Sequence, residues 1–185
     1  MEIKPQDIVV AIDLATAKAL PGLTSRVDST LTSRAIAERL GLSLGAVSQS
    51  YQRLKALGLV VSDVGTSSGR YRANTTGLRE FIAHGIKYYS HPEVVGVGPG
   101  MATGWSAPPM KGMSLMVPPE TPYVWADAGA PERGEQITPI HKSAINLAKR
   151  NELAYALLAL IDIMRLGKYR EQEVARKHLS DMLID

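Results

Sequence analysis

At 185 residues, 45% of them hydrophobic and 21% charged, the chain is long and apolar enough to build a core without disulfide or metal staples. It holds no cysteine, which excludes a disulfide scaffold, a thiol nucleophile and thiolate metal sites. The formal net charge of +3 is uneven: residues 1–90 carry eleven Lys/Arg against seven Asp/Glu, so the basic excess lies where a polyanion partner would be met.

In chain order, Pro5 is a good first helical residue, and Ile8, Val9, Ile12 and Ala15 follow at helical spacing until Pro21-Gly22. A polar stretch, Thr24 to Thr30, leads to Thr32 or Ser33. Either can cap a second helix with apolar positions Ala35, Ile36, Ala37 and Leu40, broken by Gly41. Ser43 can cap a third helix that runs to about Leu57 and ends at Gly58. Leu59 to Val61 reads as a strand, Gly65 to Gly69 as a hairpin tip, and Arg70 to Asn74 as the return strand. The return strand alternates, with Arg70, Arg72 and Asn74 on one face and Tyr71 and Ala73 on the other. A fourth helix is predicted from near Thr76, with Leu78, Phe81, Ile82, Ile86 and Tyr89 on one stripe.

Residues 91–139 hold nine of the eleven prolines, four of the seven methionines and both tryptophans. Disordered chains are poor in large apolar residues, so an ordered but irregular segment packed onto the helices or onto a partner is expected, with Gly96-Val97-Gly98-Pro99-Gly100 as a turn-rich linker. Residues 140–185 return to helical patterning. Leu153, Leu157, Leu160, Ile161 and Met164 form one stripe; Val174, Ala175, Leu179, Met182 and Leu183 form another. The division expected is thus a front domain at 1–90, an irregular segment at 91–139 and a C-terminal helical region at 140–185. The fold class expected is mainly α with a small β-hairpin wing: a winged helix-turn-helix plus a helical C-terminal appendage.

On a wheel of about 100° per residue, Leu44, Val47, Tyr51 and Leu54 of the third helix cluster on one side. Gly45, Gln49, Gln52 and Arg53 cluster opposite, with Ser48 on the flank. Gln can pair with adenine edges and Arg with guanine edges in the major groove, and no carboxylate on this helix would repel phosphate. The DNA-contacting residues expected are Arg34, Ser43, Ser48, Gln49, Gln52 and Arg53, with Arg70 and Arg72 on the wing.

The stretch Leu31 to Val61, with Ala37, Gly41 and Val47 at the close helix–helix approach, resembles the winged helix-turn-helix of bacterial transcriptional regulators of the MarR-like type. The resemblance implies that Ser43–Leu57 is the recognition helix and Gly65–Gly69 the wing tip. The connection at residues 19–30 is longer than that family's pattern, and the segment after residue 90 matches nothing in it.

Other signals carry no function. Gly65-Thr66-Ser67-Ser68-Gly69 fits G-x-S-x-G, but a strand follows it where the hydrolase elbow needs a helix. Gly96 to Gly100 lacks the third glycine and the helix of a dinucleotide loop. His84, His91, His141 and His178 have no metal-ligand spacing. No cofactor, metal or catalytic role is expected, and an enzyme with its site in residues 91–139 is the least favoured class. The reading is a sequence-specific regulator that binds double-stranded DNA. The alternative is a protein-interaction module, such as the antitoxin or accessory subunit of a two-gene system. A homodimer held by the helices outside Leu31–Asn74 is expected, with a possible protein partner on the C-terminal helices. The start Met1 to Pro5 does not look like a signal peptide. The apolar stretch Leu153–Met164 is shorter than the roughly 20 residues of a membrane span. A cytoplasmic location with no membrane contact is the expectation.

Overall fold

The computed structural model describes residues 2–17, 31–62, 71–112 and 119–184. The expected long connection, the wing tip Gly65–Gly69 and Arg70 lie outside them.

Helix α1, Pro5–Thr16, starts at its proline and is buried over most of its length. Helix α2, Ser33–Leu40, is capped by the Thr32 hydroxyl, which accepts the Ala35 N–H at 3.2 Å. It stops at Gly41, whose φ of 65° is left-handed, and Ala37 and Val47 are buried at the approach of α2 to the next helix, as their spacing predicts. That helix, α3, Leu44–Ala56, is capped by Ser43 in the same way. Strands β1, Val60–Ser62, and β2, Tyr71–Ala73, pair antiparallel with Val60 opposite Ala73. Asn74 then caps α4, Thr75–Glu80, which continues through a π-helical turn, Phe81–Gly85, into α5, Ile86–Tyr89. These elements form a winged helix-turn-helix followed by a mainly helical remainder, which is the fold class the sequence predicts.

The middle region departs from expectation. Gly96 to Gly100 is not a linker: it lies inside β3, Val94–Ala102. Strand β3 pairs antiparallel with both β4, Tyr123–Ala126, and β5, Glu132–Ile137. Strands β4 and β5 pair parallel, so the three strands close on themselves. Glycine and proline normally weaken strands, which is why the pattern reads as a turn. Here tight closure requires them. A Cβ at Gly100 would lie 2.4 Å from the Trp125 carbonyl oxygen. Pro99, which lacks an N–H, keeps its carbonyl engaged by Gln136 Nε2 at 2.9 Å and by the Asp127 N–H at 3.3 Å.

Three more helices follow: α6, Ser143–Ala148; α7, Glu152–Leu166; and α8, Tyr169–Met182. Helix α7 is the axis of the molecule, with every residue from Ala154 to Arg165 buried. Such a helix, apolar all round, belongs in a core. One continuous hydrophobic cluster runs from Ile8 to Leu183, drawing on all three compositional regions. The homodimer expected on helices outside Leu31–Asn74 is thereby narrowed, because the stripe on Leu153–Met164 packs into the chain's own core. Leu157, Leu160, Ile161 and Met164 of the first stripe are buried, with Leu153 partly so, and Ala175, Leu179 and Leu183 are buried where α8 packs against α7 of the same chain. Asp162 sits in this core as the centre of a polar knot. Its carboxylate accepts from Thr103 Oγ1 at 2.8 Å, Trp125 Nε1 at 2.7 Å and Arg165 at 2.6 Å. Arg165 in turn donates to the Thr138 and Ser90 carbonyls, so α7 is tied to both ends of the sheet region.

Candidate nucleic-acid interface

The exposed arc of α3 follows from its helical geometry. Ser43, Leu44, Gly45, Ser48, Gln49, Gln52 and Lys55 are exposed, and Val47, Ser50, Tyr51, Arg53 and Leu54 are buried. Beneath the arc, Gln6 of α1 donates to Ser50 Oγ at 3.2 Å and to the Ala46 carbonyl at 3.4 Å, which fixes the back of the helix. Of the expected contacts on the helix-turn-helix, Arg34, Ser43, Ser48, Gln49 and Gln52 reach solvent. The Ser43 hydroxyl also accepts the Ala46 N–H at 3.1 Å, so its capping role is structural.

Arg53 is a correction. It does not face outward with the glutamines. Its Nε and Nη2 each lie 2.7 Å from the two carboxylate oxygens of Asp7, which is fully buried. On the wheel Arg53 lies about 100° past Gln52, at the edge of the arc, where its long side chain folds back toward α1. The bidentate pair occupies the planar fork that reading a guanine would need. Asp7 Oδ2 also accepts the Lys4 N–H at 2.8 Å, so one carboxylate closes the start of α1 and holds α3 to it. A second pair repeats the design: Arg39 of α2 meets Asp13 of α1 at 2.7 Å. Burial raises the Asp13 carboxyl above its ordinary range, against the opposing hydrogen bond from Arg39. Neither aspartate was singled out in the sequence. The signal was present, since two acids interrupt an otherwise apolar helix.

Leu44 is a second correction: expected on the packed side, it is half exposed at the start of α3. Lys55 was missed, although it falls seven residues after Ser48 and so lies on the same stripe.

The hairpin is anchored to α3. Tyr71 of β2 stacks on Tyr51 of α3 with ring centroids 4.4 Å apart, and Ala73 is buried beside it. The opposite face of β2 leaves Arg72 exposed. Asn74, expected on that basic face, donates to the Gly58 carbonyl at 2.8 Å and accepts the Gly77 N–H at 3.1 Å. It therefore closes the base of the hairpin. Arg70 lies outside the described residues.

A family model described as winged helix-turn-helix DNA-binding matches residues 26–61, a span that includes α2, the Gly41 turn, α3 and the start of β1. Over that segment the chain is similar to winged helix-turn-helix DNA-binding domains. No curated protein and no solved structure matches the chain. Among the described residues, no group of His, Asp and Glu side chains could hold a metal ion, and no helix is long and apolar enough to cross a membrane.

Proposed function

We propose that the chain is a sequence-specific transcriptional regulator of the MarR-like type, which reads double-stranded DNA by laying α3 in the major groove. The observation that carries this reading is the exposed arc of α3. From Ser48 to Lys55 it offers one hydroxyl, two amides and one ammonium (Ser48, Gln49, Gln52 and Lys55) and no carboxylate. Gln49 and Gln52 suit adenine edges, Leu44 can touch a thymine methyl, and Lys55 and Arg34 suit phosphates. Arg72 on the wing adds a phosphate or minor-groove contact. One such helix reads only a few base pairs. A homodimer on a pseudo-palindromic operator, with half-sites about 34–36 Å apart, would supply the missing specificity. Since α7 is buried from Ala154 to Arg165, the twofold interface uses other surfaces, the outer face of α8 among them.

The test is selection of bound duplexes from a random pool, followed by binding of a Gln49→Ala/Gln52→Ala variant. A bidentate base pairing is worth about 1–3 kcal/mol, so operator binding should weaken roughly tenfold for each glutamine removed from its base. No enriched sequence, or unchanged operator affinity in the double variant, overturns the reading. Light scattering of the operator complex checks the dimer, and a single protomer per duplex excludes it.

A further inference from the structure

Where the closed sheet meets the helices there is a pocket of about 330 Å³, a size that suits a small organic molecule. Met101, Ala102, Pro108, Pro131 and the ring of Tyr155 supply apolar walls. The Tyr155 hydroxyl is already committed, donating to the Ala102 carbonyl, and its ring packs 5.9 Å from Trp125. The charged lining is unbalanced. Lys149 pairs with Asp127 at 2.5 Å, so those two charges offset each other. Glu132, opposite Gly100 across the β3–β5 ladder, has no hydrogen-bond or ion-pair partner among the described residues. An apolar cavity whose edge carries a carboxylate unpaired among the described residues favours a guest with an apolar body and a positive charge.

We propose that this pocket is a binding site for a small organic amine, whose apolar body lies against Met101 and Tyr155 and whose ammonium group meets Glu132. The site is joined to the helix-turn-helix through α6. Lys149, the C-cap of α6, reaches the pocket, and Asn146 of the same helix donates to the Leu40 carbonyl at 3.4 Å, beside the Gly41 turn. The binding claim does not depend on the DNA-binding reading and is tested without DNA.

The probe is phenethylamine, with phenylacetate as an anion of nearly the same shape, titrated into the full chain. Trp125 fluorescence and ligand-detected NMR serve as readouts. A guest of nine heavy atoms should bind with a dissociation constant on the order of 1 mM. Phenylacetate should bind at least tenfold more weakly. Glu132→Gln, an exposed change, should weaken the amine about tenfold and leave thermal unfolding unchanged. Ala130→Trp, which fills the pocket from its rim, should abolish binding. Absence of saturable amine binding overturns the proposal. So does equal binding of the two probes, or amine binding that survives both variants.

Discussion

Arg53 shows how one side chain can be read two ways from the same spacing. Its wheel position suggests the DNA face, but the buried Asp7 carboxylate captures it, because an uncompensated charge in the core would cost several kcal/mol. Arg53→Ala should therefore act on stability, costing about 3–5 kcal/mol in urea denaturation. Gln49→Ala, on the exposed arc, should stay within about 0.5 kcal/mol of the parent. An Arg53→Ala protein with the parent's denaturation midpoint would refute the structural role. His141 makes a second residue-scale case. Its Nδ1 lies 2.8 Å from the Ser143 hydroxyl and 3.2 Å from the Ser143 backbone nitrogen, at the start of α6. Burial, helped by nearby Lys142, lowers its pKa below the ordinary 6.5. The folded state thus prefers neutral imidazole. The stabilisation is complete above pH 6.5 and is lost as pH falls through the lowered folded value. His141→Asn should reduce the loss of urea resistance between about pH 7 and about pH 5. An unchanged acid slope would remove His141 from the account.

At the scale of elements, the closed sheet and the wing make opposite demands on their residues. The sheet depends on close approach. A Cβ at Gly134 would lie 2.0 Å from the Pro122 carbonyl oxygen, a clash that backbone movement alone can relieve. Gly134→Ala should cost at least about 1–3 kcal/mol by thermal unfolding. A neutral result would mean that β4 and β5 are not held in this register. The wing depends on charge left exposed. Arg72 has its backbone fixed by the ladder and by the Tyr71–Tyr51 stack, so its guanidinium is presented without ordering a loop. Arg72→Ala should lower the magnitude of the salt slope for duplex binding by about 0.9 and weaken specific and non-specific binding together. An unchanged slope would take β2 out of the interface.

At the scale of the whole molecule, the winged helix-turn-helix shares one hydrophobic core with the rest of the described chain. Helix α1, which holds both buried aspartates of the site, packs on α6 and α7, and α2 packs on α6. A chain ending at Ser90 loses the axis of the core. It should show no cooperative thermal transition by circular dichroism, whereas the full chain should unfold in one. A cooperative transition in the truncated chain would establish that the front region folds alone.

By itself the sequence determined whatever depends on local geometry. The caps at Thr32 and Ser43, the left-handed Gly41, the buried Ala37 and Val47 and the alternation of Tyr71, Arg72 and Ala73 follow from short-range rules. Those rules were enough to define the helix-turn-helix and most of its exposed arc. The positions of the long-range partners came from packing between distant segments. That packing buried Arg53 on Asp7, forty-six residues away, and drew Thr103 and Trp125 onto Asp162. It also made a strand of a Gly/Pro-rich stretch, because β4 and β5, distant in sequence, supply the hydrogen bonds that β3 cannot form alone. The same logic turned the apparent assembly stripe of α7 inward: an apolar face in sequence does not name its partner, and here the chain itself provides one.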